Sequence, residues 1–111
     1  MTVGDLHWVE LPARGGHAQS GRRPAVILQT VSNLPTTLPV PLTSQLDALR
    51  FPGTILVEPD RENGLRRPSS VARVFQLTAV DSRFITGRLG NVSDQVPEEV
   101  FLALDALTGR T

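Results

Sequence analysis

Two arginines stand side by side in the run Gly21-Arg22-Arg23-Pro24-Ala25-Val26-Ile27-Leu28, and their setting suits the capture of an anion. Pro24 presets its own φ and biases Arg23 towards an extended backbone, while the apolar residues that follow anchor the segment in a core. Two permanently charged guanidinium groups are thereby held at the mouth of a buried strand. A guanidinium is planar and donates in pairs, which matches the oxygens of a phosphate. Further on, Thr43 and Ser44 offer adjacent hydroxyls at the end of a proline-bounded segment, where they could also cap the turn that follows. His17, in the glycine-rich stretch before the arginines, is the side chain of this region that titrates near neutrality, and so a candidate proton carrier.

The composition narrows the chemistry. The chain of 111 residues has no cysteine, which removes disulfides, thiolate metal sites and cysteine nucleophiles together. All eleven basic residues are arginine. The formal net charge of zero averages unlike halves. Residues 50–88 hold seven arginines against four acids, whereas Asp94, Glu98, Glu99 and Asp105 face Arg110 alone. A basic middle can meet phosphate while an acidic tail faces elsewhere. No apolar run approaches the ~20 residues of a membrane span, and the N-terminal stretch lacks the charged start and apolar centre of a secretory signal. One soluble, cytoplasmic domain over residues 1–111 is expected, with a single hydrophobic core.

The elements that must position these groups read as short strands. Gly4 to Leu11 alternates as a first strand, with Trp8 expected in the core and His7 at the surface or hydrogen-bonded. Residues 13–22 form a glycine-rich loop leading to the second strand, over Ala25 to Leu28. Leu38 to Ser44 carries two prolines two residues apart, which predicts an edge strand or one that bends as it leaves the sheet. A short turn or helix over Gln45 to Leu49, a strand over Gly53 to Glu58, a turn over Pro59 to Gly64 and a strand over Val71 to Phe75 follow. Leu77 to Asp81 is expected to be a one-turn helical link and Ile85 to Val92 a last strand. From Pro97 to Thr108 the pattern is helical, with Val100, Phe101, Leu104 and Leu107 on one face and Gly109 as the stop. The sum is a mainly β, α+β fold: a small curled antiparallel sheet or partly open barrel with one C-terminal helix.

In this order and spacing the motifs resemble the MazF/PemK family of toxin endoribonucleases, from Gly4 to Arg110. The matching signs are GDLHWVEL, the spacing of Gly16, Gln19, Gly21, Arg23, Pro24 and Ala25, the PLTS of Pro41 to Ser44, and RLGNVS ahead of an amphipathic helix. The resemblance implies an SH3-like barrel that dimerises, cuts single-stranded RNA with no metal or other cofactor, and is silenced by an antitoxin with an acidic C-terminal segment. It makes Arg23 and Thr43 catalytic. Arg22, Gln19, Ser44, Arg66, Arg67, Arg73, Gln76 and Arg83 are then the expected RNA contacts. Two positions depart from the family pattern: Ala18 precedes Gln19, and Phe75 precedes Gln76, where many members carry an acid. Either His17 takes up proton transfer, or activity is slow, or the RNA contacts differ. The second reading is a non-enzymatic binding module of the gyrase-poison type on the same scaffold.

Overall fold

The computed structural model describes residues 2–11, 21–28, 33–66 and 70–110. Eight strands, three short 3-10 helices and one α-helix make up this part of the chain. The strands are β1 (Asp5–Leu11), β2 (Gly21–Ile27), β3 (Thr36–Thr37), β4 (Pro39–Thr43), β5 (Thr54–Val57), β6 (Ser70–Arg73), β7 (Val80–Asp81) and β8 (Ile85–Asn91). Six of them form one antiparallel sheet in the order β5-β6-β4-β2-β1-β8, while β3 and β7 pair separately. The mainly β, α+β architecture expected from the sequence is the one observed.

The continuous apolar run Ala25 to Leu28 is explained by burial on both faces of the sheet. Ala25 packs with Val9, Leu11, Val80 and Ile85 on one side, whereas Val26 and Leu28 join the larger cluster of Leu6, Val40, Leu42, Ile55, Ala72, Val74, Val92 and Val100. Alternation along β1 divides Leu6 from Val9 and Leu11 in the same way.

β4 is not an edge strand. It lies between β2 and β6, pairing with β2 through residues 39–41 and with β6 through Leu42 and Thr43. Pro39 and Pro41 have no N–H to donate, and the strand accommodates them by handing over from one neighbour to the other along its length. A 3-10 helix, Leu46–Arg50, then crosses to β5. The helical link expected over residues 77–81 falls earlier: the strand β6 ends at Arg73, a 3-10 turn takes Val74–Gln76, and Val80–Asp81 is the strand β7.

The α-helix α1 runs from Gln95 to Leu107, two residues earlier than Pro97 suggested. Proline is tolerated there because the first-turn N–H groups have no partner within the helix. Val100 is fully buried, with Val96, Ala103 and Leu104 packed beside it. Phe101 and Leu107, expected on the buried face, are 45% and 41% exposed. The stop at Gly109 is a Schellman motif: Gly109 has φ 76°, Arg110 N donates to Asp105 O at 2.7 Å and Gly109 N to Ala106 O at 3.3 Å.

Two contacts tie the ends of this frame together. In β1, the Asp5 carboxylate accepts from Thr2 N at 3.0 Å and Thr2 Oγ1 at 3.2 Å, and from Arg88 on β8 at 3.4 Å. Burial pushes this carboxyl up, but the two Thr2 hydrogen bonds and the Arg88 charge outweigh it and hold it below its ordinary value. A depressed folded-state value stabilises the fold above the unfolded carboxylate range, about pH 4, and that contribution is lost as pH falls through the folded value. Asp5→Asn is therefore expected to lower the urea midpoint at pH 7, with the gap from wild type closing at acid pH. A gap that stayed constant from pH 7 to pH 3 would refute this linkage.

The second contact seats the loop of residues 58–66 on β8. Asn91 N donates to Glu62 O at 2.9 Å. At Gly90 a Cβ would strike the Glu62 carbonyl and the Asn63 backbone, and at Gly64, where φ is 71°, it would strike the Leu89 carbonyl. Only glycine permits this approach of backbone to backbone.

Candidate active site

Where β2 and β4 meet β6 and the 58–66 loop, the surface opens into a cleft of about 370 Å³. Its polar lining comes from Arg22, Arg23, Thr43, Ser44, Arg66 and Ser70, and its apolar lining from Trp8, Pro24, Leu42, Leu65 and Leu89, together with Gly64.

Strand register puts the two central residues together. β2 and β4 run antiparallel with Ala25 opposite Pro41 and Val26 opposite Val40. Arg23 and Thr43 each lie two residues beyond the Ala25–Pro41 pair, where β4 has passed to β6, and both line the cleft. Arg23 is half-buried, while Arg22 before it is exposed. Thr43 is only 6% exposed, and its Oγ1 accepts from Gln45 N at 3.3 Å. That bond closes a local turn from residue 43 to residue 45; it is not the helix cap expected of Thr43, since the 3-10 helix has Gln45 at its N-cap and no side-chain cap. It fixes the oxygen while leaving the O–H available to donate, so the turn bond and the chemistry are compatible in one side chain. Ser44 is exposed beside it.

Five of the expected site residues thus converge on the cleft: Arg23, Thr43, Arg22, Ser44 and Arg66. Three are placed elsewhere. Arg73 is half-buried over the Phe75 ring, at 5.3 Å from its centroid. Arg83 pairs with Asp81 at 3.5 Å and lies over Phe84. Gln76 ends the 3-10 turn after β6. His17, Gln19 and Arg67 lie outside the described residues. The other histidine, His7, donates from Nδ1 to Thr86 O at 3.0 Å, the hydrogen-bonded role expected of it.

Trp8 corrects the sequence reading. It is half-buried, not core. It lies opposite Pro24 in the β1–β2 ladder, and the Arg22 guanidinium covers its ring at 4.2 Å. The alternation of β1 places Trp8 on the Leu6 face, and its cross-strand neighbours are the residues flanking Arg23. Hairpin register, had it been assigned, would have moved Trp8 from the core to the site. Leu42 and Leu89 reach the cleft from strands expected in the sequence, and the seating of the 58–66 loop on β8 adds Leu65.

The cleft combines three arginines and three hydroxyls with apolar residues. Comparison with known proteins gives it a family. Residues 2–108 match the model of the PemK-like, MazF-like toxins of type II toxin-antitoxin systems, and the chain belongs to that family. It is 26% identical over 104 residues to endoribonuclease EndoA of Bacillus subtilis (strain 168), a match covering 91% of this chain and 88% of the relative. Among solved structures it resembles MazF of Deinococcus radiodurans, with a TM-score of 0.81 and 26% identity over 98% of this chain and 96% of that one. It also resembles a MazE–MazF complex of the same organism, with a TM-score of 0.73 and 25% identity over 100% and 97% of the two chains.

Proposed function

We propose that this chain is a metal-independent endoribonuclease toxin that cuts single-stranded RNA at specific sequences, arrests translation and growth, and is neutralised by a cognate MazE-like antitoxin. The observation that carries the reading is the meeting of Arg23 with Thr43 on one cleft, flanked by Arg22, Ser44 and Arg66. Guanidinium groups favour an anionic phosphate there and disfavour a second cation.

The reaction needs little more from the protein. A ribose 2′-hydroxyl attacks the adjacent phosphorus, the bond to the 5′-oxygen breaks, and a 2′,3′-cyclic phosphate and a 5′-hydroxyl result. The proton of the 2′-hydroxyl goes to a base, and one is delivered to the leaving oxygen. Between these states the phosphorane carries extra negative charge, and donors already in place stabilise it at no cost of reorganisation. Arg23 is assigned to that charge and Thr43 to a non-bridging oxygen, because a guanidinium is a poor proton donor and a good paired hydrogen-bond donor.

Support for the partners comes from the rest of the surface. Phe51 and Phe75 stack edge to face with centroids 6.1 Å apart, and both are exposed, as are Phe101 and Leu102 on α1. Apolar surface of this kind suits association, here a homodimer whose groove receives the acidic and apolar C-terminal segment of the antitoxin. The cleft arginines would serve RNA and acidic peptide alike, so occupancy alone would inhibit.

Incubation of the purified protein with a long single-stranded RNA in excess EDTA tests the activity. Fragments bearing 5′-hydroxyl ends are expected. RNA left whole, both in EDTA and with magnesium restored, would reject the nuclease in favour of a gyrase-poison type of binding module.

A further inference from the structure

Phosphate chemistry uses the arginines and hydroxyls of the cleft and leaves its apolar lining unexplained. Trp8, Pro24, Leu42, Leu65 and Leu89 line the same cleft as Arg23 and Thr43. A bare phosphate has no use for such a lining, whereas a nucleotide, with a flat base joined to a charged phosphate, matches both kinds of residue. The volume of about 370 Å³ is at the small end of ligand pockets and suits one nucleotide, not a stretch of strand. The lining also has the one group on which a base would stack, and it is covered: the Arg22 guanidinium lies 4.2 Å from the Trp8 ring centroid. Arg22 is exposed and Trp8 half-buried, so the cover is on the solvent side of a fixed platform.

We infer that Trp8 is the stacking platform for one unstacked nucleobase of the RNA beside the cut, and that Arg22 is its removable cover. The entering base takes the indole face and the guanidinium moves to the attached phosphate. The exchange is favourable, because base stacking on an aromatic gives more than an exposed guanidinium forfeits by leaving it, and the freed charge gains a phosphate. Stacking tolerates any base, so this subsite holds the strand in register while sequence is read elsewhere. The inference rests on the proposed RNA substrate.

Trp8 is the chain's single tryptophan, so its emission reports the platform directly. A 2′-O-methyl oligoribonucleotide pool of random sequence, which cannot be cut, is titrated into the wild-type protein while binding is followed by the anisotropy of a label on the oligonucleotide. Emission should be quenched in step with binding. Trp8→Leu should weaken binding about tenfold and Trp8→Phe much less, the range that stacking of one base provides, with unchanged denaturation midpoints marking both as folded. Binding that leaves the emission unchanged, or equal weakening in the Leu and Phe variants, would overturn the platform. Quenching by a protein that cleaves no unmodified RNA would sink the nuclease reading and leave the platform standing, and absence of binding would sink both.

Discussion

Arg23→Ala should lower the rate of RNA cleavage by about two to three powers of ten, the range lost when one preorganised transition-state donor is removed. The basis is position as well as charge. Pro24 follows Arg23 and is itself packed opposite Trp8, and Ala25, Val26 and Ile27 are fully buried, so the backbone that carries the guanidinium is fixed on its C-terminal side. The cleft then holds it with Thr43, each two residues beyond the last β2–β4 pair. A half-buried arginine at the entrance of a strand contributes little to the core, so the circular dichroism spectrum and denaturation midpoint of the variant should match wild type. Arg23→Lys should fail nearly as badly, since an ammonium is a point charge and cannot hold two phosphate oxygens in one plane. Single-turnover measurements on a defined RNA separate this loss from weaker binding. Cleavage by folded Arg23→Ala at the wild-type rate would remove Arg23 from the chemistry.

Which parts of this site were legible beforehand follows from what local pattern can encode. The run from Gly21 to Leu28 was readable because burial on both faces of β2 demands consecutive apolar residues, and the site arginines lie next to them in the chain. Thr43 was readable as a hydroxyl ahead of a turn for the same local reason, though its oxygen closes that turn without capping the helix. Trp8 was not. Alternation correctly assigned it the face of Leu6, but the face alone does not say where the core stops, and at Trp8 the sheet gives way to the cleft. The two prolines of β4 point to an edge strand or to one that bends as it leaves the sheet, because neither can donate to a full ladder. In the fold each neighbour uses a different part of it. Arg73 and Arg83 illustrate a further limit: charge in the basic middle predicted phosphate contact, yet one guanidinium lies on Phe75 and the other beside Asp81. Net charge fixes the sign of a surface, and only packing decides which side chain faces which way.

The last wall of the cleft depends on a residue that no charge or hydrophobic pattern marks. Asn63 is 1% exposed and organises the 58–66 loop from within. Its Oδ1 accepts from Asp60 N at 3.1 Å and Leu65 N at 3.0 Å, and its Nδ2 donates to Glu58 O at 2.8 Å. Asp60 Oδ1 in turn accepts from Glu62 N at 2.9 Å and Asn63 N at 2.8 Å. Two Asx side chains therefore satisfy the backbone of a loop that lies against β8 too closely for any residue but glycine at positions 64 and 90. Asn63→Ala would leave two amides and a carbonyl without their partner, and a loss of about 2–4 kcal/mol of stability is expected, from the desolvation of unpaired buried polar groups. Because the same loop carries Leu65 and Arg66 to the cleft, the variant should also bind RNA more weakly, raising KM more than it lowers kcat. Asn63→Asp keeps both acceptor bonds but turns a carboxylate towards the Glu58 carbonyl, so it should also destabilise the loop. Urea denaturation and steady-state cleavage together decide the matter. A midpoint unchanged in Asn63→Ala would show that the loop is held by its seat on β8, and a lost midpoint with KM intact would separate the loop from the site.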